Sequence, residues 1–264
     1  VDWARELGFS SVNLDLIVGL PRQTLESFRG TLDRVVAWSP DRLAVFAYAH
    51  VPWIKKHQRL IQESELPDFA TRLALQQAVN ETLGGAGYVN IGLDHYARHE
   101  DELVRAQQNK TLWRNFQGYT THKDCDILAF GASSISQTVD VYMQNEKGLK
   151  SYEARVTATG FAVERGIKLS LDDRIRREAI TRVMCDLELD LAAFGEEWNI
   201  DATTYFADAL ADLRPLADDG LVVFDGARIE VTPVGRMFLR NIGMCFDRYL
   251  KDAATDKPRY SRTA

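Results

Sequence analysis

The stretch Ser11-Val12-Asn13-Leu14-Asp15-Leu16-Ile17-Val18-Gly19-Leu20-Pro21 decides the fold class. It is a nearly continuous apolar run closed by Gly and Pro, which suits a strand buried on both faces. Thr24 then stands as an N-cap, and Leu25, Phe28, Leu32, Val35 and Val36 recur at helical spacing as far as Trp38. Ser39-Pro40-Asp41 breaks that helix, and residues 43–48 read as a second strand. A polar, lid-like segment covers residues 52–66. A helix over 69–83 ends at Gly84-Gly85-Ala86-Gly87, and 88–93 is a third strand. The pattern is βαβαβ, so an α/β fold with parallel strands and right-handed crossovers is expected.

Further along, residues 94–125 are irregular, and 126–130 read as one more short strand before Gly131-Ala132-Ser133-Ser134. Residues 145–170 are polar and read as connecting. From Asp172 the character changes. Helices are expected over 172–189, 191–198 and 203–216. A hairpin over 221–224 and 228–231 turns at Asp225-Gly226-Ala227. Thr232-Pro233 opens a last helix to Leu250, with Pro at its first position. Three helices, a hairpin and a helix make a winged-helix-like order. The expected organisation is a strand–helix unit over 1–140, a connector over 141–170, the winged-helix-like domain over 171–250 and a loose tail over 251–264.

Composition narrows the function classes. With 264 residues, 45% of them hydrophobic and 27% charged, the chain can build a packed core and bury roughly 70–75% of its unfolded surface. No run approaches the roughly 18 apolar residues of a membrane span. The start, Val1-Asp2-Trp3-Ala4-Arg5-Glu6, lacks the basic-then-apolar pattern of a signal peptide. The net charge of −6 argues against nucleic acid as a partner. From Asp172 to Leu250 nine Arg face sixteen acidic residues, a net of −7, which is the wrong sign for a winged-helix DNA reader. Cys125, Cys185 and Cys245 form no CxxC pair, so neither a disulfide framework nor a zinc site is expected, and no metal ligands are assigned. Sparse cysteines point to a reducing compartment, the cytoplasm.

Several segments hold candidate chemistry. Asp15 inside a parallel sheet is costly unless partnered. A ligand hydroxyl pair such as a ribose would partner it, and so would nearby backbone at a strand end. Ala47 and Ala49 would let a flat ligand approach the backbone, or would serve tight packing. Asp94-His95 can orient an imidazole for proton transfer, or be structural. The run Asn115-Phe116-Gln117-Gly118-Tyr119-Thr120-Thr121 suits a loop that holds something polar and flat, or an ordinary turn. Gly131-Ala132-Ser133-Ser134 resembles a backbone-donor loop without the Gly-Lys-Ser/Thr ending of a P-loop.

Taken in order, these segments resemble one family. The run from Ser11 to Thr24 is similar to the late-barrel motif of radical S-adenosylmethionine enzymes of the coproporphyrinogen type. Pro40-Asp41-Arg42-Leu43 and Tyr48-Ala49-His50-Val51-Pro52 resemble the next strand of that group. Ile91-Gly92-Leu93-Asp94-His95-Tyr96-Ala97, Arg114-Asn115-Phe116-Gln117-Gly118-Tyr119-Thr120-Thr121 and Arg240-Asn241-Ile242-Gly243-Met244-Cys245-Phe246-Asp247 are similar to the oxygen-independent coproporphyrinogen III oxidases in particular. Haem chaperones that share the radical fold carry Asn-x-x-Tyr-Trp at the stretch matching 114–121. No Trp follows here, so the resemblance favours the oxidase, with a tetrapyrrole-binding chaperone as the alternative.

The resemblance implies the end of a partial (β/α) barrel of parallel strands over 1–140, followed by a mostly helical terminal domain. It implies S-adenosylmethionine and a [4Fe-4S] cluster as cofactors, and coproporphyrinogen III and an electron donor as partners of a monomer. The implied reaction converts propionate side chains to vinyl groups through a 5′-deoxyadenosyl radical, with loss of carbon dioxide, in anaerobic haem synthesis. Asp15 would contact a second S-adenosylmethionine. Ala49 and Ile135 would line the first, and Phe116 and Gln117 would face the cavity. Asp94 and His95 match the pattern without an assigned role. The CxxxCxC run and the early Gly-rich motif of the family are missing, and the three cysteines do not fit their spacing. The expectation is therefore a carboxy-terminal portion that alone neither holds the cluster nor catalyses. Its open sheet edge should make it poorly soluble in isolation.

Overall fold

Thr24 caps the second helix as the sequence suggests, and Ser27 returns the bond to complete a reciprocal cap. That helix links the first two strands of a computed structural model that describes residues 1–123 and 125–252. After a short helix α1 (Asp2–Glu6), β1 (Asn13–Val18) leads through α2 (Leu25–Trp38) to β2 (Arg42–Ala47). The two strands pair in parallel, from Asn13 opposite Arg42 to Val18 opposite Ala47. Two short 3-10 turns occupy the expected lid-like segment, and α3 (Phe69–Gly85) returns the chain to β3 (Tyr88–Gly92).

Here the structure departs from a purely parallel sheet. Gly92 at φ 152° and Leu93 at φ 49° turn the chain at once into β4 (His95–Arg98). The hairpin partner β4 inserts between β2 and β3, antiparallel to both, so the order is β1-β2-β4-β3. β3 keeps the direction of β1 and β2 but does not touch them. After β3, a one-turn reversal closes a smaller loop than a third crossover, and it wins locally.

The expectation that β1 is buried on both faces is also corrected. Leu14, Leu16 and Val18 face α2 and α3 and join Phe28, Leu32, Val35, Leu43, Val45 and Leu75 in one core. Asn13, Asp15 and Ile17 on the opposite face are exposed. Helices cover one side of this edge strand only, and Ile17 makes the sequence look continuously buried.

On the second face, α4 (Glu102–Gln108) and the hairpin β5 (Trp113–Asn115) and β6 (Gly118–Thr120) cover β3 and β4. Ile91, Ala97, Leu103, Val104, Leu112, Tyr119 and Cys185 form a second core there. The strand expected over 126–130 does not form. Only Ile127 bridges to Gln137, while Leu128 and Phe130 lie exposed with no neighbouring strand to cover them.

The 141–170 connector is a structured unit. β7 (Ile135–Gln137), β8 (Val141–Asn145) and β9 (Val163–Lys168) form an antiparallel sheet, with α5 (Leu149–Thr159) between the last two strands. α5 buries no residue and β8 is half-buried, so its polar composition hid the structure.

The terminal region begins with α6 (Leu171–Cys185), shorter than expected because Leu187 at φ 61° redirects the chain into β10 (Glu188–Asp190). α7 (Leu191–Trp198) follows. The third expected helix breaks at buried Phe206 into α8 (Ala202–Tyr205) and α9 (Ala207–Asp218). β11 (Val222–Phe224) and β12 (Arg228–Val231) form the expected hairpin, and β10 adds a third strand in the order β10-β12-β11. The helix expected over 232–250 splits into a 3-10 turn, α10 (Leu239–Met244) and α11 (Arg248–Asp252). The break follows from Phe246, which is drawn fully into the core, and from Asp247, whose carboxylate accepts from the Tyr249 amide and restarts the helix. Of the expected tail, residues 253–264 lie outside the described residues.

Candidate functional site

The cross-strand register builds the site. Asp15 lies opposite Ala44 in β2, and Ala44 lies opposite His95 in β4. Directly opposed residues share a face, so Asp15 and His95 lie on the same side of the sheet with small Ala44 between them, Asp15 exposed on β1 and His95 under the β5–β6 hairpin. Asp15 is exposed, so burial does not demand a partner for it. The Asn13 amide donates to Asp15 Oδ1 at 2.7 Å, and Oδ2 is left for a ligand hydroxyl.

His95 is held by rings. Phe46 meets it edge-on at 6.1 Å and Tyr119 at 5.3 Å. At Gly118 a Cβ would stand 3.0 Å from His95 Nε2, so the hairpin passes close over the imidazole only because position 118 has no side chain. Burial first, then the Arg114 cation, hold His95 below its ordinary basicity, while Asp15 opposes them. The imidazole is therefore neutral at pH 7. Its Nδ1 is buried without a hydrogen-bond partner. Next to it, burial raises the Asp94 carboxyl, against the pull of Arg240 and Arg114. Arg240 reaches Asp94 at 3.9 Å.

Ala49 lies just past the carboxyl end of β2 and is exposed. It lines a cavity of about 300 Å³ with Val18, Gly19, Ala47 and Tyr48, and Phe238 and Arg240 close it from the terminal region. Carboxyl ends of parallel strands are where such folds bind ligands. Buried Gln58 pins this strand end: its amide donates to the Ala49 carbonyl at 3.0 Å and accepts from the Val51 amide at 2.6 Å.

Phe116 and Gln117 form the exposed tip of the β5–β6 hairpin. Phe116 meets Tyr142 of β8 edge-on at 5.2 Å. With Arg114, Ile180 and Met184 they line a second cavity of about 490 Å³. Ile135 opens β7, in the other sheet, and is half-buried. The small-residue loop before it does not offer its donors outward. The Gly131 amide donates to the Tyr152 hydroxyl and the Ser133 amide to the Glu146 carbonyl.

The structure thus brings Asp15, His95 and Arg114 into one electrostatic neighbourhood, places Ala49 at the strand ends and sets Phe116 and Gln117 on a projecting turn. Sequence reading missed Arg114, Phe46 and Gln58. Arg114 was visible as the cation that opens the aromatic- and amide-rich run. Phe46 and Gln58 had no local signal, because their partners lie on other elements.

The donor set does not fit an iron–sulfur cluster. Among the described residues no three His, Cys, Asp or Glu side chains come together, Cys125 is exposed, and Cys185 and Cys245 are buried apart from it. The open Oδ2 of Asp15 and the small residues at the strand ends do fit a nucleoside with vicinal hydroxyls.

A family profile described as the HemN C-terminal domain matches residues 169–238. The chain is 49% identical over 251 residues to the oxygen-independent coproporphyrinogen III oxidase of Escherichia coli, covering 95% of this chain and 55% of that protein. It is 44% identical over 252 residues to the protein of the same name from Thermostichus vulcanus, covering 95% of this chain and 78% of the relative. A solved structure, described as "Coproporphyrinogen III oxidase (HemN) from Escherichia coli is a Radical SAM enzyme", superposes with a TM-score of 0.90 at 49% identity, over 94% of this chain and 57% of that one. The chain therefore spans about half the length of most of the relatives it matches.

Proposed function

The chain belongs to the oxygen-independent coproporphyrinogen III oxidase family, and from that membership we propose that it supplies the substrate-facing part of an oxidative decarboxylase acting on coproporphyrinogen III. The proposed product is protoporphyrinogen IX, formed as each of two propionate side chains gives up a hydrogen atom, carbon dioxide and one electron, the last to an external acceptor, to become a vinyl group. S-adenosylmethionine and a [4Fe-4S] cluster, when bound, would supply the hydrogen-abstracting radical, with cluster ligands from outside the described residues. The observation that carries this reading is the superposition on a radical SAM coproporphyrinogen oxidase at 49% identity.

Within it, β1 and β2 are the parallel end of a partial (β/α) barrel, and the face that carries Asp15 looks into its interior. The terminal region from Leu171 is winged-helix-like and serves packing rather than DNA, in keeping with its acidic balance. Asp15 accepts hydrogen bonds from the ribose of a second S-adenosylmethionine, while Ala49 and Ile135 line the first. Phe116 and Gln117 face the substrate and keep water from the reacting side chain. The partners are coproporphyrinogen III and an electron donor for the cluster, and the enzyme acts as a monomer. No helix among the described residues is long and apolar enough to cross a membrane.

The test uses the full-length gene product, purified without oxygen and reconstituted with iron and sulfide. Release of two carbon dioxides per coproporphyrinogen III, with vinyl groups in the product, is the expected result. Tight haem binding with no carbon dioxide released would overturn it in favour of a chaperone.

A further inference from the structure

The 490 Å³ cavity beside Phe116 is walled by Tyr142, Ile180 and Met184 and rimmed by four arginines. Three of them are matched. Arg176 pairs with Asp172 at 3.0 Å and Arg248 with the same carboxylate at 2.8 Å. Arg177 donates to the Val139 carbonyl at 2.9 Å. Arg114 differs. Its Nε is buried without a hydrogen-bond partner, and among the described residues it makes no ion pair. Its guanidinium lies 5.8 Å from the centre of the Tyr119 ring, which offsets only part of the desolvation. A carboxyl that senses it, Asp94, is shared with Arg240 and lies outside ion-pair distance of Arg114. A half-buried cation without a counter-ion is expensive unless something arrives to match it.

We propose that Arg114 is the carboxylate receptor of this site and that its occupant is a propionate of the tetrapyrrole substrate. The assignment rests on the reading of the site given above. A guanidinium presents a planar fork that matches a carboxylate with two parallel hydrogen bonds. The apolar walls suit the ring that bears the propionate, and the volume is in the range of small-ligand pockets. Position 114 pairs with Tyr119 across the hairpin, and Arg114 and Phe116 line the same cavity. The receptor thereby fixes how the macrocycle sits over the sheet. The amino-acid carboxylate of S-adenosylmethionine has the same charge and is the competing source.

The experiment compares wild type, Arg114→Lys and Arg114→Gln in the full-length reconstituted protein. Binding of coproporphyrin III, its tetramethyl ester and S-adenosylmethionine is measured separately, together with the melting temperature without ligand. Arg114→Gln should weaken coproporphyrin III at least tenfold, with Arg114→Lys between it and wild type. It should leave the ester and S-adenosylmethionine within twofold and should not lower the melting temperature, because an unmatched charge has been removed. Weakened S-adenosylmethionine with unchanged porphyrin binding would overturn the propionate assignment. Unchanged binding of both, or a lower melting temperature with unchanged binding, would overturn the receptor itself. Wild-type protein that binds coproporphyrin III but releases no carbon dioxide would defeat the proposed reaction and leave this comparison intact.

Discussion

The Tyr119 hydroxyl donates to the Met184 carbonyl at 2.9 Å, joining the β5–β6 hairpin to the last turn of α6. The final carbonyls of a helix have no partner within it. Gln107 of α4 does the same for Cys185, at 2.9 Å. Two side chains from the strand–helix unit therefore cap a helix of the terminal region. Tyr119→Phe should destabilise the protein by about 1–2 kcal/mol, because it leaves a buried carbonyl unmatched. Urea melts of the two forms check this, and equal midpoints would show that the cap is not needed.

Gly92→Ala should be more damaging. Its φ of 152° is one that side chains rarely adopt, and the added methyl would run into the Tyr119 hydroxyl and stand 3.1 Å from Leu239 Cδ2. Overpacking of this kind costs about 1–3 kcal/mol. Since Tyr119 is one of the colliding groups, Gly92→Ala combined with Tyr119→Phe should cost less than the sum of the single changes. A double-mutant cycle by thermal melting reads the difference, and strict additivity would remove the clash as the cause.

Asp186 introduces a pH dependence. Burial pushes its carboxyl from the usual 3.8 up to about 6, against Arg182, Lys123 and Lys110, and its Oδ1 has no partner. Between about pH 4 and 6 the folded protein holds this proton more tightly than the unfolded chain does. Stability therefore falls as pH rises through that window and stays lower above it. Asp186→Asn should abolish the fall and stabilise the protein at pH 7, by about 1 kcal/mol or less given the partial exposure of the group. Melting temperatures at pH 4.5 and 7 (chosen on either side of about pH 6) compare the two forms. A variant no more stable than wild type at pH 7 would refute this.

Asp15→Asn separates binding from stability. The residue is exposed and, among the described residues, its hydrogen-bond partner is Asn13, so unfolding free energy should change by less than about 0.5 kcal/mol. S-adenosylmethionine affinity in the reconstituted full-length protein should fall by about tenfold or more, the cost of a charge-assisted hydrogen bond. Equilibrium dialysis measures it, and unchanged affinity would take Asp15 out of the site.

What the sequence disclosed follows physical range. The α2 cap, the α3 stop and the 225–227 hairpin turn were legible, because Thr24, Gly84–Gly87 and Gly226 act on residues beside them. β4 was not, since its place between β2 and β3 depends on a reversal at Leu93, a residue type with no turn signal. The 149–168 helix and strand were missed because exposed elements keep a polar composition. At the site, the motif around Asp15 was readable, but the reason first given for it, burial, was not the reason the structure provides. The row Asp15–Ala44–His95 depends on pairing across three strands and has no local signature.

The sheet also has unlike ends. On β3, the Asn90 and Ile91 carbonyls are occupied by Arg236 and Gln107, and β4 runs against the direction of β1 and β2. β1 ends the sheet on the other side, with Asp15 and Ile17 of its uncovered face exposed. Strand addition is therefore polar, like growth at one end of a filament. A strand that joins this sheet along β1 lies beside it, so its own side chains on that face stand next to Asp15.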